Sequence, residues 1–368
     1  MDNSLERSLD ARLLLLPPGS FHRLVTKMSL IDEFKGWWSG RSLPQTAMLE
    51  RTKERVVEVS ARASTQLDGR RPARPQAGRL TRAGTRVAPG EPDAARVAGY
   101  ADVLRITFDA HREIAFGEAL ILRFHDMLLK YSSRDKGHRG NYKTAFEDVT
   151  RYPERVMEPA ALRPTIPHLA AEQMKVLAAW AASRLASAEF HPLLVIAGFV
   201  LELLAIRPFA DGNGRLSRIL TNLLLLQCGY SYVTYASLEK VIADQRTEYY
   251  LALRTSQASR NLPSPDITSW LNAFLDALRA QIGDLRAAVD RRPAEGLLSK
   301  NQLDALLLLE RNGEVTNRFL CIELDIPRDT AKQVLNRLLS LGLVQRIGAG
   351  RAIRYTRSPS QGGGGPLG

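Results

Sequence analysis

One stretch constrains this chain more than any other: Arg207-Pro208-Phe209-Ala210-Asp211-Gly212-Asn213-Gly214-Arg215, followed after two residues by Arg218. Upstream, Leu193 to Ile206 carries almost no charge, the pattern of a helix buried on most of its circumference. Downstream, Leu216 to Gln227 resumes a helical apolar pattern, so the local order is helix, short loop, helix. Pro208 ends the first helix, because the residue before a proline is pushed out of the α region. Gly212 and Gly214 leave main-chain N–H groups uncovered where the second helix begins, and a helix N-terminus carries roughly half a positive charge. With Arg215 and Arg218 one turn apart, the loop is a candidate anion site suited to phosphates. Asp211 is the one acid in it, and a carboxylate among phosphate donors fits a Mg²⁺ ligand.

The string resembles the signature of the Fic family, His-Pro-Phe-x-Asp/Glu-Gly-Asn-Gly/Lys-Arg-x-x-Arg, and agrees with it from Pro208 to Arg218. It departs at the first position, where the family has His and this chain has Arg207. The similarity continues in Ser64-Thr65-Gln66-Leu67-Asp68-Gly69, Val97-Ala98-Gly99-Tyr100 and Glu248-Tyr249-Tyr250-Leu251-Ala252-Leu253. The resemblance implies a mainly α fold: a Fic-fold helical bundle with a small β-hairpin flap. It implies protein adenylylation, in which AMP moves from ATP to a Ser, Thr or Tyr hydroxyl of a target protein and pyrophosphate leaves. Phe209, Gly212, Asn213, Gly214, Arg215, Arg218, Tyr249 and Tyr250 then line the nucleotide. Asp211 holds Mg²⁺, Asn213 and Arg215 position the α and β phosphates, and Arg218 meets the γ.

In that scheme the first position supplies the general base. A guanidinium stays protonated and has no acceptor lone pair, so Arg207 cannot serve. Losing a positioned base removes roughly 10²–10⁴-fold in rate. Arg207 would also add a cation near the phosphates, strengthening binding while the chemistry fails. Of the six histidines, none lies in the loop. His191 is nearest in sequence but sits at the far end of a helix about 20 Å long. Three functional readings follow: an impaired adenylyltransferase, a nucleotide-binding pseudoenzyme, and a nucleotide-sensing DNA-binding regulator.

Leu49 to Leu67 has a helical apolar pattern, with Ser64 and Asp68 one turn apart and Gly69 at the C′ position. Read alone, this is a helix end with its cap. The resemblance makes it the family's inhibitory motif, Ser/Thr-x-x-x-Glu-Gly, whose Glu reaches the last loop arginine. Asp68 is one methylene shorter, so the expected ion pair is loose or absent.

Four segments are expected: a helical region at 1–99 ending in a linker at 70–92 rich in Arg, Pro and Gly, a Fic domain at 100–290, a separate unit at 297–357, and a flexible tail at 358–368. Residues 1 to about 40 read as irregular with short apolar patches. Helices are expected at 113–130, 170–187, 193–206, 215–227, 238–257 and 266–289. Gly137 to Pro167, containing Gly140-Asn141-Tyr142-Lys143-Thr144, is the place of the flap by resemblance; as sequence it is a long crossover loop. Helices at 299–311, 316–324 and 328–341, then a hairpin around Gly348-Ala349-Gly350, form a winged helix-turn-helix pattern. Its third helix carries Arg328, Lys332, Gln333, Asn336 and Arg337, types that read base edges and phosphates, while Glu323, Asp325 and Asp329 dilute the basic face and suit a dimerisation or docking module.

The net charge of +12 points to acidic partners or DNA, but much of the excess lies in the linker and the tail unit. No apolar run reaches the ~18 residues of a membrane span, and Leu13 to Leu16 do not make a signal peptide. Cys228 and Cys321 lie far apart and read as buried free thiols in a reducing cytoplasm. The partners implied are a target protein with an acceptor hydroxyl, DNA for the tail unit and no membrane, with a homodimer left open.

Overall fold

In the computed structural model the helix that precedes the loop is the centre of the fold, for the reason its sequence gives. The residues described are 4–40, 46–69, 92–145, 164–260, 262, 265–290, 298–348 and 353–358. The chain divides into two compact units, Met1–Leu285 and Arg286–Gly368.

The first unit is helical: α1 (Ser4–Leu14), α2 (Pro18–Ser39), α3 (Thr46–Leu67), α4 (Pro92–Ala110), α5 (Glu118–Leu128), α6 (Pro167–Ser187), α7 (Pro192–Ile206), α8 (Asn213–Gln227), a 3₁₀ turn (Ser231–Tyr235), α9 (Leu238–Asp244), α10 (Arg246–Ala258) and α11 (Thr268–Asp290). On α7 every residue from Leu193 to Leu203 is buried. It packs against α6, α8 and α10, so the loop that follows it is anchored from within. Its one acid, Glu202, is buried and paired with Arg12 of α1 (3.0 Å) and with Arg260.

The first 40 residues are not irregular, contrary to the sequence reading. Pro18 sits at the first helical position, where its missing N–H costs nothing, and starts α2 instead of breaking it. Leu24, Met28, Ile31, Phe34 and Trp38 form a buried stripe at helical spacing. Phe34 meets Tyr232 edge to face at 5.1 Å, and Asp32 accepts hydrogen bonds from His191 (2.9 Å) and Tyr230 (2.7 Å). On α1, Asp10 accepts from Trp180 and Arg184 of α6.

Helix α4 crosses α5 closely at Gly99, where a Cβ would lie 2.1 Å from the Leu128 carbonyl oxygen. The long helix expected at 238–257 is two, parted at Gln245; nothing in the local residues explains the break. Residues 70–91 of the linker, residues 146–163 of the 137–167 interval where the flap is expected, and the tail from 359 lie outside the described residues. Both cysteines are free, though partly exposed and not buried as expected.

The second unit contains α12 (Lys300–Asn312), β1 (Glu314–Val315), α13 (Asn317–Leu324), α14 (Arg328–Ser340), β2 (Val344–Ile347) and β3 (Arg354–Arg357). The strands form an antiparallel sheet in the order β1-β3-β2, with Val315 and Arg346 both opposite Tyr355. Its core includes Leu306, Leu309, Leu320, Val334, Leu335, Leu338 and Val344. Strand β1 was not legible beforehand, being two residues long.

Candidate functional site

The loop is closed by its own asparagine. The Asn213 carboxamide accepts from the Phe209 N–H (3.0 Å) and donates to the Phe209 carbonyl (2.7 Å). Gly212, at φ 85°, makes the left-handed turn into α8, a geometry that side chains resist. At the other end Arg207 caps α7 at φ 48°, its N–H donating to the Leu203 carbonyl at 3.0 Å. Lys143 grips both sides of that residue: its N–H donates to the Pro208 carbonyl (2.9 Å) and its Nζ to the Ile206 carbonyl (3.1 Å).

His125 was not seen as part of this site, and the fold carries it there on α5. Its Nε2 donates to the Asp211 carbonyl (2.9 Å) and its Nδ1 accepts the Gly140 N–H (2.9 Å). That pairing fixes the neutral tautomer, and burial lowers its pKa to about 4. With both nitrogens committed, it is a clamp and not a replacement base. Its ring stacks on Phe209 at 3.8 Å, and Tyr142 lies on Phe209 at 5.4 Å. Phe209, expected at the nucleotide, is therefore fully buried and supports the loop from inside. Tyr249 is likewise interior, edge-on to Trp270 and Tyr250. A usable signal for His125 existed: it continues the buried face of Ile121, Phe124 and Leu128.

The charged groups make an alternating chain. Arg96 of α4 lies 3.0 Å from Asp211, Asp211 lies 3.1 Å from Arg215, Arg215 lies 2.8 Å from Asp68, and Asp68 lies 3.0 Å from Arg218. Arg218 also donates to the Ser64 hydroxyl (2.9 Å) and carbonyl (3.0 Å). The pair expected to be loose or absent is thus closed: Asp68 spans both loop arginines, one with each oxygen, because α3 ends close enough for the shorter side chain to reach. Burial opposes the charge on Arg218, yet Asp68 outweighs it and the pKa is raised. Burial likewise raises the Asp211 pKa, but Arg215 and Arg96 prevail and bring it to about 2.

Arg215 is fully buried, and although its charge touches two carboxylates, none of its three side-chain nitrogens has hydrogen-bond geometry with an acceptor. Unsatisfied buried donors of this kind fit an anion, and phosphates match the fork of the guanidinium. Among the described residues no group of three or more His, Cys, Asp or Glu could hold a metal. Asp211 as a lone carboxylate fits Mg²⁺ in the way that cation is commonly held, by one or two carboxylates together with substrate phosphates.

A family model described as Fic/DOC matches residues 115–225, the segment holding His125, Lys143 and the loop. The protein adenylyltransferase Fic of Drosophila virilis is 40% identical over 68 residues, 18% of this chain and 13% of that protein, and the Drosophila melanogaster protein aligns to the same extent. The chain therefore spans about an eighth of the length of these relatives. Among solved structures, a Fic family protein from Desulfovibrio desulfuricans G20 superposes with a TM-score of 0.51 at 21% identity, over 94% of this chain and 98% of that one. Fic-1 from C. elegans gives 0.53 at 20% identity, over 73% and 72%. Residues 115–225 thus match the Fic/DOC family, and the chain has the mainly helical fold of these Fic structures.

Proposed function

We propose that the chain is a Fic-type protein adenylyltransferase that binds ATP with Mg²⁺ and whose transfer of AMP to a target-protein hydroxyl is impaired by Arg207. The observation that carries the binding half is Arg215, a fully buried guanidinium 2.8 Å from Asp68 and 3.1 Å from Asp211 that meets neither in hydrogen-bond geometry, with Arg218 held by the same Asp68 one turn further on. In this reading Arg215 and Arg218 hold phosphates, Asp211 holds Mg²⁺, and the main chain around Asn213 and Gly214 donates from the helix start. Asp68 competes with phosphate for both arginines and so restrains binding. The impaired half follows from chemistry: Arg207 has no lone pair with which to take the hydroxyl proton. The two free thiols suit a reducing cytoplasm. No described helix is long and apolar enough to cross a membrane.

Calorimetric titration with Mg²⁺-ATP tests the binding half. Binding is expected, and Arg218→Ala is expected to weaken it; no heat at millimolar nucleotide removes the proposal.

A second reading is favoured by the tail unit. On α14, Arg328, Lys332, Gln333, Asn336 and Arg337 are exposed while Ala331, Val334, Leu335 and Leu338 face the core. That is the arrangement of a recognition helix in a winged helix-turn-helix, which makes a nucleotide-sensing DNA-binding regulator the alternative. DNA affinity in the full chain should fall with salt and with Lys332→Ala and Arg337→Ala together.

A further inference from the structure

Asp211 has both oxygens engaged. One accepts the Gly212 N–H at 2.6 Å, and the other lies 3.0 Å from Arg96 Nη2 and 3.1 Å from Arg215 Nη2. Arg215 belongs to the loop, whereas Arg96 reaches across from α4, 115 residues earlier in the chain. A divalent cation needs the same lone pairs, and a guanidinium 3.0 Å away also repels it. Arg96 has a second carboxylate within reach: Asp93, one turn earlier on its own helix, is 3.8 Å from its other terminal nitrogen.

We infer that Arg96 is a positioning residue that governs metal entry, seated on Asp211 when no cation is bound and moving onto Asp93 when one is. The inference rests on the reading of Asp211 as the metal-bearing acid. It makes metal affinity a property set by α4 as well as by the loop. Removing the arginine should tighten divalent binding, and removing its second seat should weaken it. A purely structural role for Arg96 would move affinity in the opposite direction, since a disordered Asp211 binds metal less well.

The test is a Mn²⁺ titration of the full chain in the presence of ADP, which supplies the phosphate oxygens such a cation also needs, read by the free-ion electron paramagnetic resonance signal lost beyond that lost to the same ADP alone. Arg96→Gln should bind Mn²⁺ about tenfold more tightly than the starting protein, the scale of one charge-assisted hydrogen bond. Asp93→Asn should bind it more weakly. If Asp211→Asn abolishes binding but Arg96→Gln leaves it unchanged or weaker, the role of Arg96 is overturned and that of Asp211 stands. If binding is indifferent to both substitutions, or Arg96→Gln shows none at millimolar Mn²⁺, both are overturned. Should Arg96→Gln fail to fold by thermal melting, Arg96→Met decides. It removes the charge and keeps an unbranched apolar stem, so tighter binding supports the inference and unchanged or weaker binding overturns it.

Discussion

From Asp211 to Arg218 the loop is built of charges that are largely buried and paired in alternating sign, whereas at residue 207 the same loop keeps its backbone geometry and presents a side chain that cannot accept a proton. The Lys143 contacts to the carbonyls of Ile206 and Pro208 hold position 207 in place regardless of the residue that occupies it. On the proposed reading, phosphate binding and proton transfer belong to separate parts of one loop, and one can be lost while the other stays assembled.

The sharpest way to break this contrast is at Arg215. Arg215→Ala removes the charge between Asp211 and Asp68, leaving two acids facing a buried gap. Losing one partner of a largely buried pair should lower stability by about 3 kcal/mol and reduce ATP affinity by at least ~100-fold. Denaturant unfolding and calorimetry read the two effects. Loss of binding without loss of stability would mean that the ion-pair chain does not help hold the loop.

The next effect comes from His125. Its pKa is about 4 in the folded protein against 6.5 for a free histidine, so the native state binds fewer protons between those values. Its contribution to stability is complete above pH 6.5 and is lost as pH falls towards 4, about 3 kcal/mol in all at ~1.4 kcal/mol per pH unit. Asp211, held at about 2 against 3.8, adds a loss that begins only below 3.8. Unfolding free energy measured from pH 7 to 4 should show this slope, and His125→Gln should flatten it. An equal slope in the variant would dissociate His125 from the loop.

Asp68 provides a smaller change. Asp68→Gly frees Arg215 and Arg218 together and should tighten ATP binding about tenfold, the worth of one charge-assisted hydrogen bond. Asp68→Glu should change little, because the pair with Arg218 is already closed at 3.0 Å. On sequence grounds alone the Glu variant would have been expected to pair better, so tighter inhibition by Glu would favour that expectation over the observed geometry.

Local signals carried much of this fold. Helix α7, the loop and α8 were legible from an apolar run punctuated by Pro208, Gly212 and Gly214, and α12 to α14 from helical spacing. Helix α2 was hidden because a proline at the first helical position looks like a breaker. The site was half legible. Arg215, Arg218, Asp211 and Asp68 were in view, since they lie in contiguous motifs. Arg96 was not, and His125 was legible only as a member of the buried face of α5, because the two meet Asp211 across 115 and 86 residues and local spacing does not encode the partner. Phe209 and Tyr249 were placed at the nucleotide because a motif position does not reveal which side of the backbone faces the core.

The central claim is that the chemistry fails at residue 207 while the phosphate end is intact, and label transfer from α-labelled ATP with Mg²⁺ tests it most directly. Arg207→His supplies a neutral acceptor with a pKa near 6.5, and histidine tolerates a left-handed cap at φ 48° better than most residues. Transfer to the protein itself or to a target should rise at least ~tenfold over the starting sequence, with ATP affinity nearly unchanged. A variant that binds ATP yet stays silent, even with Asp68→Gly added, would contradict the account and leave the nucleotide-sensing regulator as the better one.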